Sequence, residues 1–163
     1  MGHREMLAGL REAGVSLLVS VPDTWMSGLL AAADAAPWIR HIRAAREEEA
    51  VGICAGYAFA GARSALIVQN GGLLGCGSEL LLLIKGYCLP MLLLVSHRGS
   101  ASDPYWLHVP KAVHVVPFLS ALAVPHYTVP ELGGLPRAVV RAMEYAEAAE
   151  TGVALLLGKD DLA

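Results

Sequence analysis

Apolar and polar positions alternate between two patterns along this chain. Short, nearly uninterrupted apolar runs occur at "VSLLVSV" (15–21), "IRHIRAA" (39–45), "SALIVQN" (64–70), "PMLLLVS" (90–96), "AVPHYTV" (123–129) and "GVALLLG" (152–158). Each has the length of a strand, and the fifth is the weakest. Between them lie helical stretches: "MGHREMLAGLREAG" (1–14), residues 24–35, the segment opened by "REEEAVGICAGYAFAGA" (46–62), residues 78–87, a stretch after Pro110, and the amphipathic "LPRAVVRAMEYAEAAE" (135–150). Strands apolar on both faces, alternating with helices, belong to a parallel sheet covered on both sides. The pattern predicts an α/β fold with a mostly parallel sheet of about six strands, in one layered domain spanning residues 1–163.

The chain has 163 residues, of which 55% are hydrophobic and 17% charged. A soluble domain averages about 25% charged residues, so this surface is short of charge. Such a chain either enters a membrane or covers much of itself with a partner. The longest apolar stretch, "LLLLIKGYCLPMLLLVS" (80–96), is broken by Lys85, Gly86 and Pro90. A membrane helix needs about 20 apolar residues in a row, so the stretch reads as helix, break and buried strand. The first residues lack a signal-peptide core. A net charge of -3 argues against a nucleic-acid partner. Cys54, Cys76 and Cys88 are odd in number and lack CxxC spacing, which predicts reduced, buried thiols and a cytoplasmic location.

In open parallel sheets ligands gather at the carboxyl ends of the strands. The first four predicted strands deliver Pro22, Asp23 and Thr24; Arg46 and Glu47; Gln69, Asn70, Gly71 and Gly72; and Ser96, His97, Arg98 and Gly99 to that rim. Each has a local explanation: Asp23 or Thr24 as a helix cap, the glycines as turn formers, Arg98 as a loop charge, the glutamates as partners of a helix dipole. Their concentration on one rim of a charge-poor chain argues for a site. "NGGLLGCGSEL" does not complete a dinucleotide fingerprint, because Leu80 stands where the third glycine belongs. The six histidines lack metal-ligand spacing, and His108 and His114 stand isolated; no metal is expected on this chain. Gly52, Gly56 and Ala60 recur every four residues and make a smooth stripe on the glutamate helix. With Val51, Ile53, Cys54, Tyr57 and Phe59 on its other faces, this helix is predicted to be buried all round, its first turn against a partner. A carboxylate taken in with that turn needs a donor or a raised pKa, the profile of a functional acid.

"VPDTW", "REEEAVGICAGYAFAG", "LIVQNGG" and "PMLLLVSHRG" occur in an order and spacing that resemble the pyrimidine-binding domains of thiamine-diphosphate-dependent 2-oxoacid decarboxylases, with the strongest motifs between Val21 and Gly99. The resemblance is nearest to the alpha subunits of sulfopyruvate decarboxylases and the matching domain of phosphonopyruvate decarboxylases. It implies the three-layer α/β/α thiamine-diphosphate-binding fold. The glutamate nine residues before Gly56, Glu47, is then the residue that shares a proton with N1′ of the cofactor's aminopyrimidine. Glu48 and Glu49 become dipole or surface residues. Pro22, Asn70, Gly71 and Gly72 are implied as cofactor-binding, and Asp23, Thr24, His97, Arg98 and His108 as substrate-binding.

No GDG element, the family's mark of the diphosphate- and Mg2+-binding domain, occurs in this chain. The resemblance therefore implies a separate beta subunit that holds diphosphate and Mg2+, in a heterotetramer or larger assembly, with a small 2-oxoacid as substrate. The sequence also departs from the family. Its loop usually reads "QNSGLGN"; here it is "QNGGLLGCG", with Gly71 for the serine, and the downstream segment becomes "DPYWLHVPKAV", adding Tyr105 and Trp106. A two-chain carboligase of the acyloin or acetolactate type, or a non-catalytic regulatory subunit of the same fold, are the alternative expectations.

Overall fold

A computed structural model describes residues 2–162; Met1, the first residue of the predicted amphipathic helix, and Ala163 lie outside the described residues. Six strands follow in chain order: β1 (Leu17–Ser20), β2 (Arg40–Arg43), β3 (Ser64–Gln69), β4 (Met91–Ser96), β5 (His126–Thr128) and β6 (Gly152–Leu157). They form one sheet in the order β2-β1-β3-β4-β6-β5, and every neighbouring pair is parallel. The helices are α1 (Gly2–Glu12), α2 (Ser27–Asp34), α3 (Glu47–Phe59), α4 (Asn70–Leu73), α5 (Gly77–Glu79), α6 (Val109–Ala121) and α7 (Leu135–Ala148). A 3-10 turn (Leu74–Cys76) joins α4 to α5, and a π-helical segment (Leu80–Gly86) follows.

Alternation along the strands divides the core into two. Leu18, Ala65, Ile67, Leu92 and Leu94 face α1, α2 and α7. Leu17, Val19, Leu66, Val68, Leu93 and Val95 face α3, the 70–86 run and α6. The strands β4 and β6 are buried at every residue, as central parallel strands require. The edge strands β2 and β5 keep exposed positions. A chain of hydrogen bonds secures the β2 edge: Ser20 Oγ to His41 Nε2 at 2.8 Å, and His41 Nδ1 to Asp34 Oδ1 at 2.7 Å. At the amino ends of the strands, the Arg63 guanidinium donates to both Glu147 carboxylate oxygens at 2.6 Å and so ties β3 to α7.

The two helical layers differ outside. Of the eleven large apolar side chains left exposed among the described residues, ten lie on α3, the 80–87 segment, or residues 105–116; Tyr145 on α7 is the exception. The outer side of one layer is therefore apolar, as the low charge content predicts.

Three expectations are corrected. Residues 70–77 do not make a glycine-rich turn: helix begins at Asn70, and none of Gly71, Gly72, Gly75 or Gly77 has positive φ. The predicted caps are not used either, since α2 begins at Ser27 with no side-chain cap and Asp23 and Thr24 bond elsewhere. Cys88 is exposed, with φ 54°, just past the π-helical segment, whereas Cys54 and Cys76 are buried.

Candidate active site

The carboxyl ends of β1, β2 and β3 flank the point where the chain crosses from one side of β1 to the other, the place where open α/β sheets bind ligands. The three glutamates that open α3 occupy three environments. The Glu49 carboxylate accepts the Ala45 N–H at 3.0 Å and so closes the helix start on itself. Glu48 faces the 3-10 turn, where its charge and that of Glu47 add to burial in pushing the Cys76 thiol up to about 12. Burial likewise pushes Cys54 up to about 12. Both thiols stay protonated near neutral pH, so neither is a nucleophile.

Glu47 turns the other way, against Gly72. A Cβ on Gly72 would stand 2.6 Å from Glu47 Cγ and closer still to the carboxylate. Glycine lets the glutamate lie this close, because any Cβ would force the Glu47 side chain to move; the glycine's own backbone is ordinary helix. Glu47 is half-buried, yet its carboxylate accepts no hydrogen bond from any described residue. The carboxylate is thus partly withdrawn from water and has no donor of its own among the described residues.

The next glycine is used in the same manner. Gly71 lies under the Lys111 side chain, with Cδ 2.8 Å and Nζ 3.1 Å from the position of a Cβ. Asn70 is fully buried; its Nδ2 donates to the Arg98 carbonyl at 2.7 Å, and its Oδ1 accepts the Gly71 N–H at 3.0 Å. It clasps the end of β3 to the end of β4.

Asp23, Thr24 and Arg98 come together across 75 residues of sequence. Arg98 Nη2 donates to Asp23 Oδ1 at 2.8 Å and to Thr24 Oγ1 at 2.7 Å, and its guanidinium stacks 3.9 Å from the centre of the Trp25 ring. Asp23 Oδ1 also accepts the Trp25 N–H at 2.7 Å. The side chains are 1% and 9% exposed for Asp23 and Arg98. Asp23 Oδ2, Arg98 Nε and the neighbouring Ser96 Oγ are buried without partners among the described residues, so the cluster retains polar capacity.

The remaining predicted residues lie around this cluster. Pro22 is exposed beside Asp23. His97 is half-buried, with Nε2 3.5 Å from the Ala112 carbonyl on α6. His108 Nδ1 bonds Asp103 Oδ2 at 3.0 Å, and the same oxygen accepts the Gly99 N–H at 3.1 Å. Burial raises the Asp103 carboxyl, but the Gly99 amide, His108 and the charge of Arg98 outweigh it and hold the group below its usual 3.8. Gly99 has φ 90°, and a Cβ there would meet the His108 and Val109 backbone. His108 thus closes the loop before α6. Sequence reasoning missed Lys111, Asp103 and Trp25; each takes its role from a contact that no local spacing announces.

The family described as "Thiamine pyrophosphate enzyme, N-terminal TPP binding domain" matches residues 2–118, from α1 into α6. The chain belongs to this family. Thiamine pyrophosphate is the cofactor here called thiamine diphosphate, and the matched span includes the whole Glu47, Gly71–Gly72 and Asp23–Arg98 rim. The sulfopyruvate decarboxylase subunit alpha of Methanothermobacter thermautotrophicus is 36% identical over 121 residues, covering 74% of this chain and 73% of that protein. The same subunit from Methanococcus maripaludis is 29% identical over 146 residues, covering 90% and 87%. Benzoylformate decarboxylase from Polynucleobacter necessarius superposes with a TM-score of 0.78 at 18% identity, over 99% of this chain and 30% of that one. That last likeness concerns the fold, and establishes the three-layer α/β/α thiamine pyrophosphate-enzyme architecture for this sheet. No helix among the described residues is long and apolar enough to cross a membrane.

Proposed function

We infer that this chain is the pyrimidine-binding alpha subunit of a two-chain thiamine-diphosphate-dependent enzyme that decarboxylates a 2-oxoacid. The observation that carries the reading is the half-buried Glu47 carboxylate, fitted against Gly72 and lacking any donor among the described residues. A protonated ring nitrogen is the donor it lacks, and N1′ of the aminopyrimidine is such a nitrogen. Glu47 holds the proton at N1′. Pro22, Gly71 and Gly72 would border the pyrimidine, and the buried Asn70 would hold that edge in place. Asp23, Thr24, His97, Arg98 and His108 border the substrate. When bound, thiamine diphosphate supplies a thiazolium ring that takes up the electron pair released with carbon dioxide.

The relatives that match along most of their length are named as alpha subunits of sulfopyruvate decarboxylases. They favour a beta subunit that contributes the diphosphate and Mg2+ site, and a 2-oxoacid carrying a second acidic group. The apolar outer side of the α3 and α6 layer is the surface such a partner would cover, and Gly52 and Gly56, with nothing within 4 Å of their Cβ positions, leave room for another backbone.

The test is exchange of the cofactor's C2 proton with deuterium, read by NMR after acid quench, in the complex with its partner chain. Glu47→Gln keeps the shape but cannot share the proton. A loss of about 10²- to 10⁴-fold in exchange rate is expected. An equal loss in Glu48→Gln, or none in Glu47→Gln, overturns the assignment. Product analysis with a 2-oxoacid, with and without an added aldehyde, distinguishes decarboxylation from carboligation.

A further inference from the structure

Lys111 stands in the first turn of α6, half-buried, with its side chain laid across Gly71. Its ammonium makes no hydrogen bond or ion pair with any described residue. Arg98, the buried cation of this rim, already has its Nη2 engaged by Asp23 and Thr24, and its Nε is buried without a partner among the described residues. Gly71 and Gly72 are consecutive, about 3.8 Å apart along the backbone. One lies against the free ammonium and the other against the Glu47 carboxylate. A lysine with three unused donors, at the edge of a site in a chain so sparing with charge, is a counter-charge awaiting an anion.

We propose that Lys111 is the specificity-determining cation of this site, holding the second anionic group, a sulfonate or phosphonate on C3, of a dianionic 2-oxoacid. The assignment rests on the decarboxylase reading given above. An ammonium binds a tetrahedral oxyanion as a point charge with three donors, and a guanidinium can hold the same group through its fork. The monoanionic 2-oxoacids carry no second anion for Lys111 to hold, so the residue separates the two substrate classes without entering the chemistry at C2. Gly71 is part of the device, because any Cβ at that position would displace the lysine side chain.

The experiment uses the complex with its partner chain and compares wild type, Lys111→Met and Lys111→Arg on 3-sulfopyruvate and on pyruvate. The measured quantity is the ratio of kcat/KM for the sulfonated acid to that for pyruvate. Lys111→Met is expected to lower this ratio about 10- to 100-fold, the effect of one lost charge-assisted hydrogen bond, mainly through KM; Lys111→Arg should restore most of it. Calorimetry with 3-sulfo-2-hydroxypropanoate, which has no carbonyl to react, should show Kd weakened by a similar factor in Lys111→Met. An unchanged ratio, or equal losses on both acids, overturns the proposal. If wild type accelerates C2 exchange and Glu47→Gln abolishes it, that result leaves the decarboxylase reading standing. A wild-type complex without accelerated exchange overturns the reading and the Lys111 assignment together.

Discussion

Replacing Arg98 with methionine removes one half of a buried ion pair and keeps the apolar stem. The Asp23 carboxylate, 1% exposed, would lose its 2.8 Å partner while Oδ2 already lacks one. Removing one member of a buried pair costs about 3–5 kcal/mol, because the charge left behind is uncompensated. The lost stacking on Trp25, at 3.9 Å, adds about 1 kcal/mol. The sum, about 4–6 kcal/mol, is a large part of the stability of a domain of this size. It corresponds to a fall in Tm of roughly 10–20 °C. Urea unfolding followed by circular dichroism measures it directly. Asp23→Asn in the Arg98→Met background should recover much of the loss, since no charge is then stranded. A penalty below about 1 kcal/mol for Arg98→Met, or strict additivity in the double mutant, would refute the argument and assign the guanidinium chiefly to substrate.

Gly56→Leu should leave the isolated chain folded, because nothing lies within 4 Å of the Cβ position, and yet impair assembly with the partner; a normal complex by size-exclusion chromatography would contradict this. The loop before α6 should weaken in acid. The folded Asp103 carboxyl lies below its ordinary 3.8, so its contribution is present above the unfolded value and is lost as pH falls through the folded one. Asp103→Asn should flatten that part of the stability profile between about pH 5 and 2, and an unchanged slope would remove Asp103 from the account.

The fold was largely legible because burial on both faces writes continuous apolar runs, and β3, β4 and β6 were found within a residue or two of their bounds. The edge strands β2 and β5 are shorter than the runs that announced them, since only their middle residues find a neighbour. The rim was legible as a list of residues and not as an arrangement. Composition left Glu47, Glu48 and Glu49 equivalent; what separates them is a neighbour in α4, a neighbour in the 3-10 turn, and the helix's own start. The pairing of Asp23 with Arg98, the lysine over Gly71 and the immediate onset of helix at Asn70 all depend on contacts between distant segments. No periodicity encodes those contacts. The departure at Gly71 was visible in the sequence, but its reason, Lys111, was not.

The two glycines of α4 bear differently on how this sequence can drift. At position 71 the obstacle to a larger residue is a flexible lysine tail, so a change to serine becomes tolerable once residue 111 shortens or turns away. Positions 71 and 111 should therefore change together in descendants that adopt another substrate. At position 72 the obstacle is the Glu47 side chain itself. A side chain at 72 would have to push the Glu47 carboxylate out of its present place. On the proposal that Glu47 is the proton-holding acid, drift at 71 would retune the substrate, whereas drift at 72 would move the acid itself.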